Sequence, residues 1–281
     1  MLSKTIGICA GLCFCIGGVI GLPAARAQET GAKATPPPKV VVIDIEWLKP
    51  GKGGSAHQKS ENAFIQAAEK AKSNQHYVAL QALSGPPRSL FLFSYDSFAA
   101  LEKERQEEAA NATLSADIDQ AYAADGELLS SMARNIFTLR DDLMPEPGVA
   151  IATMRYMQIT RVTVRPGHQG EWEEYLKMLR SNLDKAEPGR HIALYQSAFG
   201  WENGGIWLLI TPMKSLSEVD AADASAAKFR EAMGETNMKH YRELAAAAVE
   251  SSQRNLYAFD PAMSYASDEM VSADPTFWKR K

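Results

Sequence analysis

From residue 40 the chain reads VVVIDIEWLKPG. Val41, Ile43, Ile45 and Trp47 are apolar at alternate positions, and Asp44 and Glu46 share the other side with Val40 and Val42. A period of two predicts a half-buried strand, and Pro50-Gly51 closes it as a turn. Phe64, Ala67, Ala68 and Ala71 then recur at helical spacing and predict an amphipathic helix from Ser55 to Lys72. Two short apolar runs follow, His76 to Gln81 and Leu90 to Phe93, with Gly85-Pro86-Pro87 between them as a hairpin. A mixed-charge helical stretch from Leu101 to Glu108 and an extended segment at Arg134 to Phe137 complete this part of the pattern.

The same order then returns. YMQITRVTVRPG, residues 156–167, closes on the same Pro-Gly 116 residues after the first run. His191 to Gln196 matches His76 to Gln81 at an offset of 115, Ile206 to Leu209 matches Leu90 to Phe93 at 116, and Arg254 to Tyr257 matches Arg134 to Phe137 at 120. Between them lie a helix from Gln169 to Asp184 carrying Trp172, Tyr175, Leu176 and Leu179, a hairpin at Glu202-Asn203-Gly204-Gly205, and a helical stretch around Met238 to Ser251. Four matches in register predict an internal duplication. Each copy has the order βαββαβ, the ferredoxin-like plan, which puts its helices on one sheet face and leaves the other bare. The fold class expected is α+β: two tandem ferredoxin-like repeats, residues 40–148 and 149–265, packing sheet to sheet within one chain.

On these residues the chain resembles the dimeric α+β barrel superfamily, which includes antibiotic-biosynthesis-monooxygenase-like, EthD-like and NIPSNAP-like proteins. The resemblance spans about Val40 to Tyr265 and rests on element order and on the strand-Pro-Gly-helix opening, best seen in Arg165-Pro166-Gly167-His168-Gln169-Gly170-Glu171-Trp172. It implies a cavity between the halves and, for some members, oxygenase or haem chemistry. These motifs specify a fold and carry no catalytic residue across.

The N-terminus changes the compartment. Lys4 precedes a short, Gly-interrupted apolar stretch from Ile6 to Leu22, and Ala25-Arg26-Ala27 offers a cleavage site. Residues 1–27 therefore read as a secretory signal peptide, with an uncleaved anchor as the alternative, and the expected location is periplasmic or secreted. All three cysteines fall inside this leader, so the mature chain would have no disulfide, thiol nucleophile or Cys metal ligand. Residues 28–39, with Pro36-Pro37-Pro38, read as a stiff exposed linker, and the polar residues 266–281 as a disordered tail or, alternatively, a cavity lid.

With 30 Lys and Arg against 34 Asp and Glu and no basic block, the chain offers no footprint for nucleic acid, and no second apolar run is long enough to span a membrane. Gly51-Lys-Gly-Gly-Ser-Ala56 fits a dinucleotide-type glycine pattern, yet the second strand ends in Leu83-Ser84 with no acid for a ribose, so a turn cluster explains it. No Walker A, G-x-S-x-G or H-E-x-x-H is present.

Candidate site residues come from the repeat and from polar positions inside apolar runs. His76 and His191 are equivalent at the start of the second strand of each copy, as are Gln81 and Gln196 within it. Asp44 and Glu46 are expected to face the second sheet and to meet Arg161 across an inter-sheet cavity, with a sheet-end salt bridge as the plainer reading. Tyr195, Trp207, Asn135 and Asn255 complete the candidates. No two of the five histidines lie within five residues of each other, so the chain has no local metal-ligand pair and no metal site is assigned, with long-range clustering left open. The sequence requires no cofactor, although the resemblance admits haem on His76 or His191. The leading expectation is a binder of a small, largely apolar ligand between the halves. A cofactor-independent oxygenase or haem-handling enzyme is the first alternative, and a structural or interaction protein without a pocket is the second. Whether the chain is an enzyme is left open.

Overall fold

The computed structural model describes residues 32–200 and 205–280. The expected signal peptide, the start of the linker and the Asn203-Gly204 hairpin with Trp201 lie outside the described residues. The chain runs β1 (Val40–Leu48), α1 (Ser55–Ala71), β2 (Tyr77–Ala82), β3 (Arg88–Tyr95), α2 (Phe98–Ala110), α3 (Ala112–Asp125) and β4 (Leu129–Leu139). A 3-10 turn over Ile151–Thr153 leads to β5 (Tyr156–Val164), α4 (Gln169–Ala186), β6 (Ala193–Phe199), β7 (Ile206–Met213), α5 (Ser217–Met233), α6 (Glu235–Ala248) and β8 (Val249–Tyr265), followed by α7 (Asp268–Ala273) and α8 (Pro275–Trp278). Each third-to-fourth strand connection is a pair of helices, one more than the pattern predicts. Val249 to Ser251, expected in a helix, begins β8.

The eight strands form a mixed α+β fold around one closed barrel in the order β1-β3-β2-β8-β5-β7-β6-β4. Every neighbouring pair is antiparallel, and β2–β8 and β4–β6 join the first-half strands to those of the second half edge to edge. Alternation along all eight strands sends Val41 and Ile43, Leu80, Leu90 and Leu92, Phe137, Met157 and Ile159, Leu208 and Phe259 into the barrel. The opposite faces meet the helices. Val162, Leu194 and Trp207 pack on Trp172 and Leu176 of α4, and Ala79 and Phe91 pack on Ile65 of α1.

Strict alternation around the barrel makes β1 and β5 begin at the same mouth. The Pro-rich segment, expected as an exposed linker, lies across that mouth. Thr35 pairs with Val149, and the Tyr195 hydroxyl donates to the Pro38 carbonyl at 2.9 Å. Gly148 permits this approach, since at φ +116° a Cβ there would sit 2.4 Å from the Thr35 carbonyl oxygen. The C-terminal residues are ordered as α7 and α8, in place of the disorder expected. Trp278 is 2 % exposed within the barrel cluster and donates its indole N–H to the Ala152 carbonyl at 2.7 Å.

Asp274 anchors this tail. Burial alone would raise its carboxyl, but hydrogen bonds from Arg155 and Thr276 and the Arg155 charge outweigh burial and hold it below the ordinary carboxylate value. A depressed carboxyl contributes stability above its unfolded value, near 3.8, that is lost as pH falls through the folded one. Tail release is therefore expected below about pH 4. Tryptophan fluorescence should show an acid step that Asp274→Asn lacks.

Candidate functional site

Apolar side chains from all eight strands pack the barrel interior, and the cavity between the halves is confined to one end of it, where Val41, Val78 and Leu92 of the first half face Met157, Ala193 and Ile210 of the second. The space left is about 140 Å³ at the mouth under Pro36 to Pro38, bordered by Tyr195 and His191. A larger cavity of about 260 Å³ lies outside the barrel wall, between the sheet and α1 and α3 of the first half.

Its floor comes from β1. The apolar positions of that strand turn into the barrel, so Asp44 and Glu46 face the helices and not the second sheet. Asp44 is 4 % exposed and accepts two hydrogen bonds from Arg134 of β4, directly opposite it, at 2.6 and 2.5 Å. Glu46 meets α1. The Pro-Gly turn, with Gly54 at φ +66° before the helix, folds α1 back over the sheet. The stripe that α1 then buries is His57, Glu61, Ile65 and Ala68, spaced for one helix face.

Four ionisable groups converge there. His57 Nε2 lies 2.9 Å from Glu46 Oε2, 3.3 Å from Glu61 Oε1 and 3.8 Å from Asp125 Oδ1, the last residue of α3. One donor atom from each falls within 4.8 Å of all the others, and all four residues are buried. Ser89 Oγ stands 3.5 Å from the other ring nitrogen of His57. Glu61 Oε1 and both Asp125 carboxylate oxygens have no hydrogen-bond partner, nor does the Tyr77 hydroxyl that borders the cavity. Glu46 and Glu61 line the cavity, while His57 and Asp125 are not part of its lining.

Burial would lower the His57 imidazole, but the hydrogen bond to Glu46 and the nearby Glu46 and Glu61 carboxylates override it and push the group up to about 10. Burial raises Glu61 and Glu46, and the neighbouring carboxylates raise them further against the opposing pull of His57. Three carboxyls around one imidazolium leave excess negative charge in a dry site, so bound protons or a cation must neutralise it. Asp125 adds to this demand, because a carboxylate at a helix C-terminus opposes the helix dipole.

The second half places apolar side chains at the same points. His57 meets Phe91 edge-on at 6.4 Å, and Trp172 meets Trp207 edge-on at 6.0 Å in the matching helix-strand pair. Leu176, four residues on, stands where Glu61 does, and Val162 on β5 stands at the offset of Glu46.

The other expected site residues are dispersed. Arg161 lies on the barrel-facing side of β5 with Met157 and Ile159, so the barrel wall separates it from Asp44 and Glu46. His76 is exposed and stacked on Tyr265 at 4.7 Å, and His191 Nδ1 lies 2.8 Å from Glu146 at the barrel mouth. Gln81 and Gln196 fall on the helix-facing sides of β2 and β6, where Gln196 accepts from Arg140 at 2.7 Å. Asn135 and Asn255 each lie against a glycine at the end of the hairpin strand beside them, Gly200 and Gly85. Trp207 is core. His57, Glu61 and Asp125 are not among the residues the sequence singles out, since His57 has no histidine neighbour and Asp125 lies 68 residues away. A search for His-x-x-x-Glu on a helix beside an acid-bearing strand would have found two of them. His76 lines neither of these two cavities, and the space of about 140 Å³ that His191 borders is too small for a haem macrocycle, so neither position offers a haem pocket as it stands.

No protein-family model and no curated protein matches this chain. Solved structures do. An anthrone oxidase-like protein aligns at a TM-score of 0.50 with 14% identity, covering 81% of this chain and 94% of its own. A monooxygenase-like protein from Lactobacillus acidophilus NCFM aligns at 0.47 with 10% identity over 79% and 94%. Chlorite dismutase from Candidatus Nitrospira defluvii, in complex with imidazole, aligns at 0.46 with 8% identity over 84% and 96%. The chain has the dimeric α+β barrel fold, as its sequence resemblance implies. Among the described residues, no helix is long and apolar enough to cross a membrane.

Proposed function

We propose that this protein binds a small molecule in the first-half cavity, between the barrel wall and α1 and α3. The observation that carries the reading is the contrast between the halves. Glu46, His57 and Glu61 are buried where the second half has Val162, Trp172 and Leu176, and buried charge opposes stability unless it is compensated. The cavity selects for chemistry. Phe91, Phe93 and Tyr122 supply flat apolar walls, and Glu46 and Glu61 supply acceptors and negative charge. A compact molecule with an aromatic body and a cationic or hydrogen-donating head suits it better than the largely apolar ligand the sequence suggested.

Native mass spectrometry of protein from its own source, compared with its denatured mass, tests the reading directly. Benzylamine serves as a probe for titration. It is expected to bind wild type measurably and Glu61→Gln about tenfold more weakly, a loss of about 1.4 kcal/mol. Absence of both a released mass and probe binding would overturn the proposal. Fold likeness at these identities transfers no reaction, so oxygenase chemistry is not assigned. We also infer export through residues 1–27, for which an intact mass beginning at Gln28 is the test, and descent of the two halves from one βαββ unit with its helical return.

A further inference from the structure

We infer that Glu46, His57, Glu61 and Asp125 form a binding site for one divalent first-row cation, of the Mn2+ to Zn2+ class, at the inner end of the first-half cavity. The inference shares that cavity with the ligand reading above and goes beyond it, since the ion site stands whether or not an organic molecule binds.

The geometry suits an ion of that size. With metal–donor bonds of about 2.1 Å, donors are roughly 3.0 Å apart at the right angles of an octahedron and roughly 3.4 Å apart in a tetrahedron. The distances from His57 Nε2 to its three carboxylate neighbours, 2.9, 3.3 and 3.8 Å, bracket those values. One imidazole nitrogen with three carboxylates is a borderline-to-hard donor set, which suits Mn2+, Fe2+ and Zn2+. Ca2+ requires six to eight oxygens at longer range and suits this group poorly.

The unpaired groups point the same way. Asp125 is 1 % exposed, and neither of its carboxylate oxygens has a hydrogen-bond partner, although Oδ1 stands 3.8 Å from His57 Nε2. Glu61 leaves Oε1 unpartnered as well. A dication placed among these atoms satisfies them together and removes the excess negative charge. The four donors come from three elements, β1, the first two turns of α1 and the end of α3. Ser89 Oγ, near the distal ring nitrogen of His57, is placed to fix the imidazole in the tautomer that offers Nε2 to an ion. Because Glu46 and Glu61 border the cavity, an ion held here would have one side open to a bound molecule.

The test uses full-length mature protein stripped with a chelator and then titrated with MnCl2, ZnCl2 and CaCl2, read by native mass spectrometry and by melting temperature. The expected result is one Mn2+ or Zn2+ per chain with a saturable rise in melting temperature, and at least tenfold weaker binding of Ca2+. Glu61→Leu, which copies Leu176 of the second half, is expected to lose tenfold or more in affinity while its metal-free form melts no lower than wild type. If Glu61→Leu does not fold, Asp125→Asn supplies the same comparison with shape retained. Wild type that takes up no stoichiometric ion at millimolar metal, or variants that bind as tightly as wild type, would overturn the inference. Benzylamine titration of the metal-free protein separates this outcome from a failure of the ligand reading.

Discussion

Trp278→Ala is expected to destabilise the protein by about 3–5 kcal/mol, the range for truncating a fully buried aromatic side chain. The residue reaches the interior from outside the strand sequence. Its ring meets Phe259 edge-on at 5.7 Å and Phe277 at 5.0 Å, and its N–H holds the Ala152 carbonyl. Nothing local replaces these contacts. α7 and α8 have six and four residues, too few to persist as helices unless docked, so the whole tail should detach with the side chain. Urea unfolding gives the loss, and limited proteolysis after residue 266 gives the release. Trp278→Phe, which keeps most of the apolar volume, should lose only about 1 kcal/mol for the missing hydrogen bond. A Trp278→Ala variant with the wild-type midpoint would show that the tail is not part of the core.

The buried acid cluster should respond in opposite directions to two kinds of replacement. His57→Ala removes the one cation among Glu46, Glu61 and Asp125 and is expected to lose about 3 kcal/mol at neutral pH in metal-free buffer, the lower end for breaking a buried ionic group. Replacing the set by apolar side chains, as Glu46→Val, His57→Leu, Glu61→Leu and Asp125→Ala together, makes the first half resemble the second. Such exchanges are often neutral or stabilising by about 1–4 kcal/mol, so this variant should equal or exceed wild type in denaturant. It should also lose every metal-dependent shift in melting temperature. If the fourfold variant is less stable than His57→Ala, the cluster is a structural element of the fold, and the functional reading of the first half falls with it.

Much of the frame was legible in the residues. Alternation from Val40 to Trp47 placed Val41, Ile43 and Ile45 on one face, and the recurring order placed all eight barrel strands and the first helix of each half. The helix pairs were less legible because α2 and α3 bury few apolar residues in any regular stripe, leaving little periodic signal. The same limit hid the site. On α1 the apolar pattern of Phe64, Ala67, Ala68 and Ala71 predicts the buried face, whereas the face turned to the sheet begins with His57 and Glu61. Hydrophobic periodicity finds a buried face only when burial is apolar, and here it is ionic.

Sequence by itself determined the α+β class, the order of elements, the apolar faces of the strands and the polarity of Asp44 and Glu46, because period and turn chemistry are local properties of the chain. Tertiary structure alone decided that side chains leave only a small space at one end of the barrel and that those carboxylates face helices. It also brought Asp125 to His57 from 68 residues away, and carried Trp278 back into the core. These are consequences of closing eight strands into one barrel, a long-range packing choice that no local pattern encodes.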